Sequence, residues 1–299
     1  MKEITIVIPA GEKTKIEAEK FIDKKKVVLI VERGKNPSKN RNRGVIKSKT
    51  KFIAFINAHT FLNKKWINEV TNFFKAHPEI DIVGGPQLTS KDENLFGKAS
   101  GYALSSKFGT ANVSFRYKQN KLDLNADETM LTSANLICKR DVFKKIKFDE
   151  TIYPGEDPKF IEDAKKAEFN VAYSPKIIVF NLRRPSPPLL FRQVFNYGFT
   201  RPQKESLIQT LKKPYFLIPS LLVLYLITLP SLILISKFMI LPLLAYFFLD
   251  ILFSFYESIK NKDVFSTLSL MLTFPIIHLS YGLGFLYGSL KKIWHKKNR

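Results

Sequence analysis

Long apolar runs in the last third of the chain constrain its fold more than any other feature. The runs YFLIPSLLVLYLITLPSLILIS and FMILPLLAYFFLDILFSF follow Pro214, and the first is longer than the roughly 20 apolar residues with which a helix crosses a bilayer. Before Lys213, charged and apolar residues are interleaved along the chain. We therefore expect a water-soluble domain followed by a membrane domain.

The sequence leaves open whether a third apolar run, residues 264–286, crosses the membrane. The positive-inside rule favours a cytosolic position for Lys212 and Lys213 and also for the basic tail that starts at Lys291, and three complete crossings cannot satisfy both. Proline, histidine and glycine residues make this run polar and bendable enough for a re-entrant or interfacial segment. The sequence therefore predicts two or three hydrophobic segments.

The amino terminus and the cysteine content indicate the compartment. The opening MKEITIVIPA has a short apolar run and no cleavage pattern of small residues, so it is typical of a first β-strand and not of a secretory signal. The single cysteine, Cys138, excludes an intrachain disulfide and suits a reducing compartment. These features predict a multi-pass protein of the cell membrane whose soluble domain lies on the cytoplasmic side.

The formal net charge of +22 permits nucleic acid, anionic lipid or phosphorylated small molecules as partners. The sequence carries no zinc finger, helix-turn-helix or RNA-recognition signature, which argues against nucleic acid. Because apolar segments are present, attraction to anionic headgroups is the more economical explanation of the charge. We expect a membrane partner and no nucleic acid, and the oligomeric state stays open.

The first part of the chain alternates between strand and helix patterns, which predicts an α/β fold with a mainly parallel sheet flanked by helices. The expected strands are residues 4–8, 27–31, 51–59, 80–83, 132–138, 171–173 and 177–180, and the expected helices are residues 15–23, 66–77, 140–146 and 158–168. Residues 88–130 are less regular, with helical potential at 93–107 and a weak strand signal at 113–117. An amphipathic segment, LLFRQVFNYGF, follows the proline-rich turn 185–188 and suits a membrane interface.

One strand pattern, KFIAFINAH, ends on the polar side chains Asn57 and His59. Side chains two residues apart on a strand point to the same side. In open α/β sheets ligands bind at the carboxyl ends of strands, so this pair is placed to reach a ligand. The alternative is that both residues only end the strand and begin a turn.

Four polar features occur in order along the chain: Glu32 after the second strand, Asn57 and His59, the acidic pair Glu156-Asp157, and Arg192-Gln193. This order resembles family 2 glycosyltransferases, the inverting sugar-nucleotide enzymes of the GT-A fold, over about residues 3–201. The resemblance rests on the phrases ITIVIP, NRNRGVIKSKTKFIAFINAH, IDIVGGP, TSANLICKRDVFKKIKFDE, GEDPKFIEDAKKAEFNVAYSP and FRQVFNYG. Together with HLSYGLGFLYG, the last phrase is similar to the membrane-anchored branch that builds exopolysaccharides or lipid-linked glycans.

The resemblance implies an organisation and an activity. Residues 1–185 are expected to form a cytosolic, Rossmann-like GT-A domain, residues 186–212 an amphipathic interfacial linker, and residues 213–299 a transmembrane helical region with a basic tail. The implied reaction moves a sugar, with inversion, from a nucleoside-diphosphate sugar to a membrane-associated, lipid-linked acceptor. A rival interpretation is a family member that binds sugar nucleotide without turnover.

The acidic pair carries the implied catalytic role. An inverting transfer is one in-line displacement, so a single carboxylate near the acceptor hydroxyl must take its proton. The resemblance implies that Asp157 is this base and that Glu156 positions the acceptor or supports Asp157. The alternative is that both are helix amino-terminal acids, which the helix dipole favours.

The resemblance also implies donor contacts. Glu32, with Pro9 and Ala10 at the neighbouring strand end, is expected to bind the nucleobase, and Arg41 in KNRNRG the donor phosphates. The alternatives are a solvated turn for Glu32 and a solvated loop for Arg41.

A second set of expected donor or acceptor contacts lies beside the membrane. Arg192, Gln193 and Arg201 resemble an interfacial motif that binds the diphosphate or the acceptor, and arginine suits bidentate phosphate contact. The alternative is an arginine that snorkels to the headgroup level.

The sequence departs from the family pattern at the strand end where the family binds its metal. The family usually binds Mg²⁺ or Mn²⁺ through an Asp-x-Asp strand end, and this chain has Asn57-Ala58-His59 there. Asn57 is expected to offer its amide oxygen to a ribose hydroxyl or to a metal, and His59 its imidazole to Mn²⁺. Use of Mn²⁺ or Mg²⁺ and a metal-independent mode that relies on Arg and Lys both stay open.

Overall fold

The structure is a computed structural model that describes residues 2–205 and 207–297. The chain divides into two compact units: the first contains the residues up to Ser90 together with Asn112–Leu182, and the second contains Lys91–Ala111 and the chain from Arg183 onward. Residues 91–111 therefore group with the carboxyl-terminal helices. The expected boundaries near residues 185 and 212 stay predictions, and the end of the expected basic tail, residues 298–299, lies outside the described residues.

Nine strands lie in the first unit. They are β1 (Ile4–Ala10), β2 (Val28–Arg33), β3 (Phe52–Ile56), β4 (Thr60–Leu62), β5 (Ile82–Gly84), β6 (Gln87–Thr89), β7 (Asn135–Lys139), β8 (Val171–Tyr173) and β9 (Val179–Asn181). Six of them form one sheet in the order β2-β1-β3-β7-β5-β8. Only β7 runs antiparallel to its neighbours, so the sheet is mixed and mainly parallel, which confirms the expected fold class.

The other three strands form a small sheet in the order β4-β9-β6. Strand β9 pairs antiparallel with β4 and parallel with β6. The sequence patterns indicate β9 but neither β4 nor β6. Residues 113–117, expected as a weak strand, lie in a 3₁₀-helix, Ala111–Tyr117.

Ten α-helices follow one another along the described chain. They are α1 (Pro37–Lys47), α2 (Trp66–Ala76), α3 (Leu95–Ser105), α4 (Lys107–Thr110), α5 (Glu156–Lys166), α6 (Pro187–Lys204), α7 (Leu207–Leu211), α8 (Ile218–Ile235), α9 (Leu241–Lys260) and α10 (Thr267–Lys297). Short 3₁₀-helices occur at Glu17–Phe21, Arg140–Lys144, Pro214–Phe216, Lys237–Ile240 and Val264–Ser266. Helices α1, α2 and α5 belong to the first unit.

Both faces of the large sheet are buried. On β1, Ile6 and Ile8 join the core cluster that contains Trp66 of α2, whereas Val7 joins the cluster that contains Phe160 of α5. This division explains why the strands are nearly continuous apolar runs: a mainly parallel sheet is covered by helices on both sides. Cys138 of β7 is fully buried in the second cluster, and burial raises the pKa of its thiol well above the ordinary value.

The second unit consists of helices. Three helical stretches are long and apolar enough to cross a membrane: Pro214–Ile235, Lys237–Lys260 and Val264–Trp294. The third stretch has no break at Pro275, because α10 is continuous through this residue. Half of its most apolar window is buried within the protein, so this helix packs against its neighbours much more than the other two do.

The glycines of α10 are packing positions. A Cβ atom on Gly284 would lie 2.1 Å from the carbonyl oxygen of Phe195 in α6, and one on Gly288 would lie 2.3 Å from that of Phe199. In return, a Cβ atom on Gly198 of α6 would lie 2.2 Å from the carbonyl oxygen of Tyr281. Small residues allow helix backbones to approach this closely. The glycine pattern therefore marks the contact between α6 and α10.

His278 joins three segments of the second unit. Its Nε2 lies 2.9 Å from the carbonyl oxygen of Phe108, and its Nδ1 lies 2.9 Å from the hydroxyl of Tyr246. Because a carbonyl only accepts, Nε2 donates and the neutral ring accepts at Nδ1 from the tyrosine hydroxyl. This histidine therefore makes the interhelical hydrogen bonds that its position in an apolar helix requires.

We expect Gly284→Ala to destabilise the protein. Alanine is the better helix former, but its methyl group would overlap the Phe195 carbonyl, and overpacking of this kind costs about 1–3 kcal/mol. Thermal unfolding of the detergent-purified chain measures the change. Leu283→Ala, at the exposed neighbouring position, is the control, and a higher melting temperature for Gly284→Ala would contradict the close packing of α6 and α10.

Candidate functional site

The predicted donor residues of the first unit lie at one edge of the large sheet. Strands β1 and β2 are parallel, with Pro9 opposite Glu32 and Ala10 opposite Arg33. Strand β3 is the other parallel neighbour of β1 and ends immediately before Asn57. The carboxyl ends of the three strands therefore form a common edge, the usual place for a ligand in an open α/β sheet.

Helix α1 is fixed on this edge. Its amino-terminal cap, Asn36, accepts a hydrogen bond from the backbone N–H of Lys39. The side-chain amide of Asn40 donates to the carbonyl oxygens of Ala10 and Gly34, each at 3.1 Å. The alternative of a solvated loop around KNRNRG is wrong, since these residues are helical and Arg41 is buried. An asparagine cap followed directly by proline is the start signal that indicates the helix.

Glu32 is buried and carries two ion pairs with α1. Its Oε2 lies 3.2 Å from Nε of Arg43, and its Oε1 lies 2.6 Å from Nζ of Lys47. Both carboxylate oxygens thus have cationic partners inside the first unit. Binding of a nucleobase by Glu32 stays a prediction, and a nucleobase would have to share the carboxylate with these two cations.

The acidic pair opens helix α5. Glu156 and Asp157 occupy its first turn, where the helix dipole stabilises negative charge. The preceding residue, Gly155, has φ +119°, a conformation that side chains rarely adopt. The backbone N–H of Gly155 donates to Oε2 of Glu156 at 3.0 Å. Local geometry therefore turns Glu156 back towards the start of the helix.

Arg41 of α1 lies between the two acids. Its Nη1 donates to Oε1 of Glu156 at 2.9 Å, and its Nη2 lies 3.8 Å from Oδ1 of Asp157. The guanidinium carbon is 5.2 Å from the centre of the Phe148 ring. Arg41 and Glu156 are each only 4% exposed. A charge this deeply buried requires a partner of opposite sign, so the pair forms one electrostatic unit.

Asn42, next to Arg41, attaches α1 to the chain that leads into α5. Its side-chain amide donates to the carbonyl oxygen of Phe148 at 2.9 Å, and its oxygen accepts from the Phe148 N–H at 3.1 Å. Asn36 donates to the carbonyl oxygen of Glu150 at 2.7 Å. Helix α1 is therefore hydrogen-bonded both to the strand edge and to the segment before the acids.

The two acids have different environments. Burial raises the pKa of Glu156 above its ordinary value, the nearby Asp157 raises it further, and Arg41 opposes both effects. The Asp157 side chain is more accessible, with 21% exposure. Its Oδ1 makes no hydrogen bond within the described part of the chain. That oxygen is itself buried and lies 3.8 Å from Nη2 of Arg41, so the exposure comes from the other atoms of the side chain. Asp157 is thus the more exposed member of the pair.

The strand end after β3 does not fit a resident hard divalent cation. Asn57 is half-buried and His59 is exposed, and the two side chains offer one neutral amide oxygen and one imidazole nitrogen. Mg²⁺ prefers several oxygen ligands, with carboxylates among them. Over residues 2–205 and 207–297, no group of three or more His, Cys, Asp or Glu side chains is arranged to hold a metal. Metal binding by Asn57 and His59 stays a prediction.

The predicted interfacial residues belong to the second unit. Arg192 is exposed on α6. Gln193 accepts from Nε of Arg184 at 3.2 Å and donates to the Tyr197 hydroxyl at 2.9 Å. Arg201 is mostly buried, pairs with Glu205 and lies 3.5 Å from the centre of the Phe216 ring; its partners are therefore internal. Donor or acceptor binding by Arg192, Gln193 and Arg201 stays a prediction.

Residues 5–147 match the family described as Glycosyl transferase family 2. This part of the chain is a glycosyl transferase family 2 domain. The matched residues contain β1, β2 and β3, helix α1 with Arg41, and the Asn57 strand end. Glu156 and Asp157 lie a short distance beyond the matched residues, so their roles rest on the geometry of the acidic pair.

The family 2 domain also has a named relative. The minor teichoic acid biosynthesis protein GgaB of Bacillus subtilis (strain 168) is 27% identical over 127 residues, which are 42% of this chain and 13% of GgaB. The match thus spans about an eighth of the length of that relative.

Among solved structures, S. aureus TarS 1-349 superposes with a TM-score of 0.41 at 12% identity and covers 66% of this chain and 64% of TarS 1-349. The complex of TarS 1-349 with UDP-GlcNAc has the same TM-score and identity, with 64% and 65% covered. A similarity at this level does not identify a ligand of this chain.

Sequence patterns locate the acids and the arginine but not their contact. Arg41 was expected to reach donor phosphates, whereas its guanidinium faces Glu156 and Asp157 in the structure. No short-range signal links α1 with the start of α5. The supporting residues Asn42 and Phe148 have no chemical signature either, because an asparagine in a basic helix and a phenylalanine before a turn are common.

We expect nucleoside diphosphate binding to be insensitive to Mn²⁺, because the strand end lacks carboxylates. Isothermal titration with UDP, GDP, CDP and dTDP, in EDTA and then in Mn²⁺, measures this. The double variant Asn57→Asp/His59→Asp should acquire a dependence on Mn²⁺, with binding tighter by about tenfold when the metal is present. Tightening by Mn²⁺ in the wild type, and its loss in His59→Ala, would contradict this expectation.

Proposed function

We propose that this protein is an inverting glycosyltransferase that moves a sugar from a nucleoside-diphosphate-sugar donor to an acceptor held at the membrane. The observation that carries the proposal is the acidic pair Glu156-Asp157 at the start of α5, held by Arg41 of the family 2 domain. A partly exposed carboxylate beside a buried, ion-paired partner suits a single-displacement transfer, which needs one carboxylate to take the acceptor proton.

The proposed reaction is one displacement at the anomeric carbon. The acceptor oxygen forms the new glycosidic bond while the bond from the anomeric carbon to the phosphate oxygen breaks, and the nucleoside diphosphate leaves. The acceptor proton goes to Asp157. The partial exposure of the Asp157 side chain, 21%, supports this role. Glu156 is too deeply buried to meet an acceptor directly, so we assign it to the support of Asp157.

The donor is proposed to lie on the strand edge. Pro9, Ala10 and Glu32 line the ends of β1 and β2, and Asn57 follows β3, with its amide available to a ribose hydroxyl. No step of the proposed reaction uses a metal. The charge that develops on the leaving diphosphate then falls to arginine and lysine side chains of the chain itself.

A membrane-associated, lipid-linked acceptor is proposed from the second unit. Three helical stretches of the described chain are long and apolar enough to span a bilayer, and an enzyme anchored in this way meets its acceptor at the surface of the membrane. The match to GgaB, a teichoic acid biosynthesis protein, and the net charge of +22 both support an anionic glycan or its lipid-linked precursor.

We expect Asp157→Asn to abolish transfer while donor binding persists. The amide cannot take the acceptor proton, and loss of a general base costs about 100-fold to 10,000-fold in rate. Release of nucleoside diphosphate by the full chain in nanodiscs, with a panel of sugar nucleotides and a polyprenyl-phosphate-linked glycan acceptor, measures the effect.

Asp141→Asn is the matched control for that experiment. Asp141 is an exposed acid at the start of a 3₁₀-helix, paired with Lys144 on the surface. Its amide variant should retain wild-type turnover. Donor binding without turnover in the wild type, with any donor and in any metal condition, would instead support a sugar-nucleotide-binding protein.

The proposed orientation places the first unit on the cytoplasmic side of the cell membrane. Lys212 and Lys213 precede the first apolar stretch, and the positive-inside rule keeps them in the cytosol. The exposed Lys237, after that stretch, would then lie outside the cell, and Lys262, after the second stretch, would lie inside.

We expect a membrane-impermeant maleimide to label Lys237→Cys in intact cells. Lys262→Cys should be labelled only after the membrane is opened, because α9 returns the chain to the cytosol. The native Cys138 is fully buried, so the unsubstituted protein is the unlabelled control. The reverse labelling pattern would place the first unit outside the cell.

A further inference from the structure

We propose that Arg41 is a positioning residue for the catalytic base: it neutralises Glu156 and orients Asp157 towards the acceptor hydroxyl, and it does not bind the donor phosphates. This inference rests on the proposed function, since Asp157 is the base of the proposed transfer. Arg41 acts through the two carboxylates, so it need not touch the donor or the acceptor.

The first argument is access. Arg41 is 4% exposed, its Nη1 is occupied by Glu156 at 2.9 Å, and the ring of Phe148 lies beside the guanidinium. Arginine binds a diphosphate through a planar fork of N–H groups. Here that fork is directed at two carboxylates of α5. A phosphate could take their place only by leaving Glu156 buried without its counter-charge, which is costly.

The second argument is charge. Arg41 is the cation that faces both acids from α1, and the nearest charged pair along α5, Lys159 with Asp163 at 2.6 Å, is already internally matched. Two carboxylates that share a site without a cation tend to hold one proton between them. Arg41 opposes the rise in the pKa of Glu156 that burial and Asp157 cause, so it disfavours a proton shared by the pair. A pair without a shared proton can accept the one from the acceptor.

The third argument is rigidity. Helix α1 cannot move away from α5 without breaking the hydrogen bonds that Asn42 makes with both backbone groups of Phe148. Two residues earlier in the helix, the side chain of Asn40 donates to the carbonyl oxygen of Ala10. The guanidinium is therefore held at a fixed distance from the acids. A residue that positions the two acids requires this fixed distance from α5, whereas a residue that binds the donor does not.

The test compares pH profiles of transfer with donor affinity. In Arg41→Gln the two acids lose their counter-charge, so the acid limb of kcat/KM should move up by about 1 to 3 pH units. At pH values below the displaced limb the rate should fall by about tenfold for each pH unit of displacement, whereas well above the limb it should stay near that of the wild type. The dissociation constant of the nucleoside diphosphate, measured by isothermal titration, should change less than about threefold, which is under about 1 kcal/mol.

Two further variants keep the result interpretable if Arg41→Gln does not fold. Arg41→Lys retains the charge and loses the planar fork, so the acid limb should stay near that of the wild type while kcat falls. Arg140→Gln, which alters an exposed arginine of the same unit, is the control and should match the wild type. The full chain in nanodiscs is used throughout, and the thermal melting temperature is recorded for each variant.

The outcomes separate the inference from the proposed function. Wild-type turnover, a displaced acid limb in Arg41→Gln and near-normal nucleotide affinity support the inference. The inference is overturned if the wild type turns over and, in either Arg41 variant, the acid limb stays in place while nucleotide affinity falls by about tenfold or more. Arg41 would then be a donor-binding residue. Absence of turnover in the wild type with every donor overturns the proposed function itself.

Discussion

The buried ion pair between Arg41 and Glu156 is the interaction on which the arrangement of the candidate site depends. It joins α1, which continues from the β1 and β2 strand edge, to α5, which carries both acids. Removing one partner of such a pair leaves an uncompensated buried charge, at a cost of about 3–5 kcal/mol. This ion pair therefore holds the strand edge and the acidic pair together, along with the hydrogen bonds that Asn36 and Asn42 make to the segment before α5.

The acidic pair and the strand edge of the first unit differ in net charge. At the acidic pair, one cation faces two carboxylates, which leaves a net negative charge beside Asp157. At the strand edge, Glu32 meets two cations, Arg43 and Lys47, which leaves a net positive charge where the donor is proposed to lie. The positive strand edge attracts a diphosphate, and the negative acidic pair attracts the proton of a hydroxyl. Because Asn57 and His59 are not carboxylates, they add no negative charge to the strand edge, and the difference in charge between the two places is larger.

The second unit explains features that sequence patterns leave ambiguous. Glycine and proline residues in residues 264–286 suggest a bendable segment, but the glycines allow close contact between α6 and α10, and α10 continues through Pro275. The irregular residues 91–111 become helical and pack with the carboxyl-terminal helices, with Phe108 bonded to His278. In both cases the structure depends on which residues a small or polar side chain contacts. The spacing of residues along the chain does not reveal those contacts.

Local patterns were sufficient for much of this protein. Short apolar runs predict the strands of the large sheet, and the 3.6-residue spacing predicts α2. The long apolar runs predict the helical stretches that are long and apolar enough to cross a membrane. Each of these features depends on neighbours in the sequence. The motif order also indicates the family 2 domain and the positions of Asp157 and Arg41. The contact between Arg41 and Glu156 joins residues 115 positions apart, and Glu32 receives its cations from a helix expected to be a loop. Such pairings depend on how helices pack on a sheet, so they required the folded chain.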